Sequence, residues 1–342
     1  MKLSRKESSF LQQAINQWME DSIISPEKGQ ELKDSIQTKK FDWQSLSLYA
    51  FFFAILSLVV AVVAILADKF IIQLLEDILY AADLYKCIFF SILAIAFYFW
   101  AHRRSRSLPQ QRYSNEALFF LGILSTAAAL TFLGLHLQAG SGHFSLLILL
   151  STVIYGIMAA LFHSTLTWIF AILSLGAWFG TETGILSDWD NYFLGMNYPL
   201  RFLFFGAGLT GLAFLIKNIS VLSAFYQTTL LFGLIHFFLS LYLLSIFGNY
   251  GELELWYDVK QTELIYWGII MGVIAILAIL IGLKTDYPYF REFGVIFLFL
   301  DLYTRYFELF WDNLHKAAFF SILAISFWII GKKAEKIWTM DF

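Results

Sequence analysis

Polar and apolar positions alternate on two different length scales along this chain. Over the first 44 residues they alternate at helical spacing, with Leu11, Ile15, Trp18 and Met19 recurring at three- and four-residue steps. From Ser45 almost to the C-terminus the pattern changes: apolar runs about 20 residues long follow one another, separated by short polar breaks. A run of that length is what an α-helix needs to cross roughly 30 Å of hydrocarbon. The pattern therefore predicts an all-α fold, a polytopic transmembrane helix bundle of about ten spans with a short N-terminal soluble helical hairpin.

The hairpin is expected as two helices, over residues 8–21 and 26–38. Ser25 offers a hydroxyl to the orphan amides of the second helix, Pro26 suits its first position, and Glu27 favours the positive end of its dipole. Leu11, Ile15, Trp18 and Met19 are expected to pack on Ile24, Leu32 and Ile36. Two short helices cannot enclose a large core, so residues 1–44 are expected to lean on the membrane domain or on a cytoplasmic protein partner.

Residues 45–338 form the expected membrane domain, with spans centred near Val59, Ala94, Ala127, Thr152, Leu173, Gly208, His236, Ile274, Leu298 and Ile325. The long apolar run over 144–180 divides at His163 and Ser164. With the N-terminus inside, 17 of the 23 Lys and Arg residues fall in cytoplasmic segments and 6 outside. The positive-inside rule then predicts a multi-pass inner-membrane protein with both termini in the cytoplasm.

An internal repeat bears on the span count. Residues 89–95, "FFSILAI", recur unchanged at 319–325, and both copies run into a basic cluster, His102-Arg103-Arg104 and Lys332-Lys333. Equal orientation requires an even helix separation, which the second and tenth spans satisfy. Related hairpins are expected over about 45–104 and 288–333. Upstream of each copy lies a segment with recurring polar positions, 68–85 and 301–315, expected as related amphipathic helices on the outer surface.

The stretch "WMEDSIISPEKGQEL" resembles the N-terminal region of the membrane proteins of domain-of-unknown-function family 2157. Trp18, Ile24, Ser25 and Glu27 match that pattern, and Ser22 stands where the family usually has glycine. The resemblance implies an integral membrane protein without an assigned activity.

Composition agrees with the patterning: 59% of positions are hydrophobic and the mean hydropathy is +0.68. A net charge of −3 gives no reason to expect a nucleic-acid partner. The single cysteine, Cys87, excludes an internal disulfide framework and a cysteine-based metal centre. No cofactor or metal is expected. "GAGLTG" at 206–211 satisfies G-x-G-x-x-G but lies inside an apolar span, where its glycines serve close helix contact, as do those of "GIIMG" at 268–272. His136, His143, His163 and His236 include no pair at the i,i+4 spacing of two ligands on one helical face.

The remaining candidate chemistry lies in "DLYTRYFELFWDNLHK". Asp301, Arg305, Glu308, Asp312 and Lys316 step by four, three, four and four residues, which places them on one face of one helix. Such a face is either solvated or turned to a cavity, where charge would carry function. Asp301 and Arg305 are expected to pair, shielded by Tyr303, Tyr306 and Trp311. His236 stands near mid-membrane, where a neutral imidazole bonded to backbone is expected. The candidate binding residues are thus Asp301, Arg305, Glu308, Asp312 and His236. Without a catalytic motif, the chain reads as a non-enzymatic sensing, coupling or scaffold protein. A small-solute transporter or channel is the alternative, and an embedded enzyme using Asp301, Arg305 and an outer acid such as Glu182, Asp188 or Asp190 ranks last.

Overall fold

The computed structural model describes residues 2–3, 5–21, 23–35, 37–38, 49, 53–54, 56–57, 60, 83–137, 144–285 and 287–338. Two pieces of two residues, β1 (Lys2–Leu3) and β2 (Gln37–Thr38), are extended, and the other described elements are helical. In chain order the α-helices are α1 (Arg5–Glu20), α2 (Pro26–Asp34), α3 (Asp83–Ser107), α4 (Arg112–His136), α5 (Ser145–Phe162), α6 (Thr165–Leu186), α7 (Tyr198–Ile216), α8 (Tyr226–Phe247), α9 (Leu253–Tyr257), α10 (Gln261–Lys284), α11 (Pro288–Phe310) and α12 (Lys316–Trp338). The chain divides into two compact units, residues 1–81 with 104–117, and residues 82–103 with 118–342.

In the first unit Ser25 caps α2, its side chain accepting from the Lys28 amide at 3.4 Å, and Pro26 occupies the first turn. Ile15 of α1 is buried, and Gly29 of α2 lies so close that a Cβ there would collide with Met19. A residue with a Cβ at 29 would require the Met19 side chain to move. Trp18 and Leu32 stay 42% and 41% exposed, so their apolar surface is only half used. The second helix is shorter than the expected 26–38. It ends at Asp34, where the Ser35 amide donates to Glu31 O and Ser35 Oγ to Leu32 O at 2.7 Å. Those bonds satisfy the last turn, and Gln37–Thr38 then pair in parallel with Lys2–Leu3. Between α3 and α4, Asn115 Nδ2 donates to Leu108 O at 3.0 Å and Arg104 to Gln111 Oε1 at 2.8 Å, closing the turn.

In the second unit seven helices, α3 to α8 and α10, are long and apolar enough to cross a bilayer. This is the length and composition of a membrane protein. Their outward positions are apolar too: Ile88, Ile92, Ile95 and Phe99 on α3, and Val153, Ile157 and Leu161 on α5, are all exposed. A helix apolar on every side is at home in lipid. α11 is long enough but carries Arg291, Glu292, Asp301, Arg305 and Glu308, and the apolar part of α12, Lys316–Trp328, is shorter than a span. The expected span near Val59 and the segment 68–85 lie outside the described residues, except for scattered positions and for Asp83 to Tyr85, which open α3.

The division at His163 and Ser164 has a clear local cause. His163 adopts the left-handed region with φ 55° and ends α5, while Ser164 is extended and accepts from the Thr167 amide at 3.2 Å, starting α6.

Consecutive helices pack as pairs, α5 with α6, α7 with α8 and α10 with α11, and α8 also packs on α10 and α11. Glycines set the closest crossings. A Cβ on Gly206 would strike the Phe237 backbone, one on Gly233 would lie 2.7 Å from Thr210 N, and one on Gly294 2.6 Å from Ala275 O. Around these crossings Leu234, Phe238 and Leu241 of α8 and Met271 and Ala275 of α10 form one buried cluster. A second gathers Tyr98, Phe119, Ile123 and Tyr155 from α3, α4 and α5.

Candidate functional site

The charged residues of α11 are drawn into helix packing. Asp301 is 6% exposed, and Arg305 Nε stands 3.6 Å from its carboxylate, one turn away. Arg305 also pairs through Nη1 with Glu308, and Nη2 donates to Ser245 O of α8 at 2.6 Å. Gly268 of α10 makes room for Arg305, whose side chain a Cβ there would approach to 3.1 Å, while Gly272 faces Asp301 Oδ2 at a distance where a Cβ would make an ordinary 3.6 Å contact. Small residues here admit charged side chains rather than a second backbone. Beside the cluster, Tyr242 OH of α8 and Thr304 Oγ1 of α11 are bonded at 2.9 Å.

Two parts of the sequence expectation are corrected. Asp312 and Lys316 do not continue the face, because α11 stops at Phe310. The Trp311 amide donates to Phe307 O and Asn313 Nδ2 to Leu309 O at 2.8 Å, which satisfies the last carbonyls and turns the chain. Lys316 then opens α12, donating to Trp311 O and lying 3.7 Å over the Trp311 ring. The shield also differs. Tyr303 and Tyr306 face α12, bonded to Ser326 Oγ at 3.0 Å and Phe319 O at 2.9 Å, so Ser245 and the α10 glycines cover the pair instead.

A second arginine, which pattern reading did not single out, is more deeply buried. Arg201, on the first turn of α7, is 1% exposed and makes no ion pair among the described residues. Its guanidinium donates to Met196 O at 2.9 Å, Asn191 O at 3.1 Å and Thr183 O at 3.5 Å, and lies 4.5 Å over the Tyr198 ring. The loop above it is tied down at Asn197, which caps α7 through Leu200 N and donates to Gly248 O and Tyr250 O. Tyr192 OH accepts from Gly251 N at 2.7 Å, joining the same two loops. One signal was present in "NYPLR": a cation in a first helical turn opposes the helix dipole, so it requires partners from elsewhere in the fold.

His236 lines a different site, a cleft of about 410 Å³ between α6 and the α7–α8 pair. Its Nδ1 lies 2.7 Å from Phe232 O, one turn earlier on its own helix. A carbonyl only accepts, so Nδ1 carries a hydrogen, and with that as the ring's one hydrogen Nε2 is an acceptor. Gly176 and Gly180 of α6 also line it, close enough that a Cβ on Gly176 would lie 3.6 Å from His236 Nε2. His236 and the α11 cluster are thus not brought together.

Of the acidic residues around the end of α6, Glu182 accepts from Ser145 Oγ at 2.5 Å, while Asp188 and Asp190 are exposed in the loop after α6. Among the described residues no three His, Cys, Asp or Glu side chains gather as a metal site would require. Compared with protein families, curated proteins and solved structures, the chain matches none.

Proposed function

We propose that this chain is a multi-pass inner-membrane protein that works without catalysing a reaction, as a sensing, coupling or scaffold protein. The observation that carries this reading is the use of Arg305: Glu308 and Ser245 O engage its terminal nitrogens and Asp301 stands 3.6 Å from Nε as a charge partner, which leaves the cluster bracing α8 and α11 beside α10 rather than poised for chemistry. The proposed span count is ten, the seven apolar helices with α11, α12 and a span near Val59. Both termini are assigned to the cytoplasm, which the 17 to 6 division of basic residues supports. Residues 1–44 then present the half-exposed Trp18 and Leu32 to a cytoplasmic partner. The resemblance of the N-terminal stretch to family 2157 agrees with this reading and adds no activity to it.

Thermal unfolding in detergent tests the brace. Arg305→Ala is expected to melt well below the wild type, and Asp301→Ala with Arg305→Ala closer to it. Strictly additive losses would contradict a brace. Melting unchanged in Arg305→Ala together with lost solute flux in proteoliposomes would favour a carrier.

A further inference from the structure

The His236 cleft has polar groups that the fold leaves unspent. Among the described residues, no group donates to or accepts from His236 Nε2, Thr181 Oγ1 or Tyr198 OH, and all three side chains line the same cavity. From this we propose that the cleft binds a neutral hydroxylated aromatic molecule, of the phenol or hydroquinone class, whose hydroxyl donates to His236 Nε2.

Three features select that chemistry. The first is the acceptor: with Nδ1 committed to Phe232 O, Nε2 asks for an O–H or N–H donor. The second is neutrality. No Asp, Glu, Lys or Arg lines the cleft, and Arg201, 4.5 Å over the Tyr198 ring, spends its N–H groups on three backbone carbonyls, so an ionised ligand would have no charged side chain in contact with it. The third is the aromatic lining. Phe202 lies nearly parallel to the imidazole at 6.1 Å and 18°, Phe205 meets it edge-on at 5.3 Å, and Trp189 and Tyr198 add two more rings, while Gly176 and Gly180 sit against Phe202, Phe205 and His236. A lining of rings favours an aromatic molecule that can stack on them or meet them edge-on.

The volume of about 410 Å³ falls within the range of small-molecule sites and suits one or two fused rings. The rim is held in place at some conformational expense. Trp189 has φ 62°, uncommon for a bulky residue, and its amide donates to Gly184 O at 2.7 Å, keeping the indole at the edge of the cleft. The hydroxyls of Thr181 and Tyr198 either donate or accept, and so suit the second oxygen of a hydroquinone. This inference does not rest on the coupling reading and would hold for a carrier as well.

The test uses the full chain in detergent, with 1-naphthol as probe and 1-methoxynaphthalene as its partner, the same ring system without the donor hydrogen. Calorimetry is expected to show saturable binding of 1-naphthol, with the methyl ether about tenfold weaker, the worth of one hydrogen bond. His236→Phe keeps a ring in the wall and removes the acceptor. It should bring 1-naphthol down to the affinity of the ether and leave the ether unchanged. Gly180→Leu, whose Cβ alone would come within 3.1 Å of Phe202, should displace that ring from the lining and weaken both compounds alike. Equal affinity of the two compounds for the wild-type chain, no saturable binding of 1-naphthol, or full affinity in His236→Phe would each overturn the proposal. The wild-type comparison decides the matter even where a variant does not fold.

Discussion

Arg201 and Arg305 both sit on apolar helices, and each is neutralised in a different way. Arg305 is answered by two carboxylates and one carbonyl, Arg201 by three carbonyls and an aromatic face. The consequences of mutation should differ accordingly. Removing Arg305 strands Asp301 and Glu308, so Arg305→Ala is expected to cost roughly 3–5 kcal/mol. Removing Asp301 as well should recover at least about 1 kcal/mol, a coupling that a double-mutant cycle of melting curves would register. At Arg201 no charge is stranded, but three carbonyls are. Arg201→Lys keeps the charge, yet one ammonium cannot span Thr183, Asn191 and Met196, and a loss of roughly 2–4 kcal/mol is expected in denaturant titrations. Wild-type stability in Arg201→Lys would show that the charge alone suffices.

At the scale of helices, glycines on one helix have opposite meanings. Gly206 faces the α8 backbone, whereas nothing lies within 4 Å of a Cβ built on Gly208. Gly206→Ala should therefore push α7 and α8 apart and lower the melting temperature, while Gly208→Ala should raise stability by up to about 1 kcal/mol through helix propensity. Equal effects at both positions would argue against the crossing. The break between α5 and α6 offers a second check. His163 holds a left-handed conformation that favours glycine, so His163→Gly should stabilise the junction by roughly 0.5–1 kcal/mol, and an unfolding midpoint that falls instead would contradict it.

At the scale of the whole chain, orientation depends on charge distribution rather than on packing. Seventeen basic residues against 6 predict a cytoplasmic C-terminus. A reporter active only in the cytoplasm, fused after Phe342, should give signal, and one active only outside should stay silent. The reverse result would invert the topology and remove residues 1–44 from any cytoplasmic partner.

Sequence alone determined what depends on local pattern: apolar helices of spanning length, the cap at Ser25, and the break at His163 and Ser164. These follow from periodicity, from hydroxyl groups able to cap amides, and from the cost of leaving backbone unbonded in hydrocarbon. What charge does inside such a chain could not be read the same way. Spacing put Asp301, Arg305, Glu308 and Asp312 on one face, but the end of α11 at Phe310 and the cover from Ser245, Gly268 and Gly272 come from other segments. Arg201 looked like one more outer charge until loops around Asn191 and Asn249 closed over it. His236 likewise gained a cleft only because α6 meets the α7–α8 pair through glycines. Helix formation is a short-range matter of bonds within one segment, whereas the fate of a buried polar group is settled by whichever distant atoms the packing brings to it.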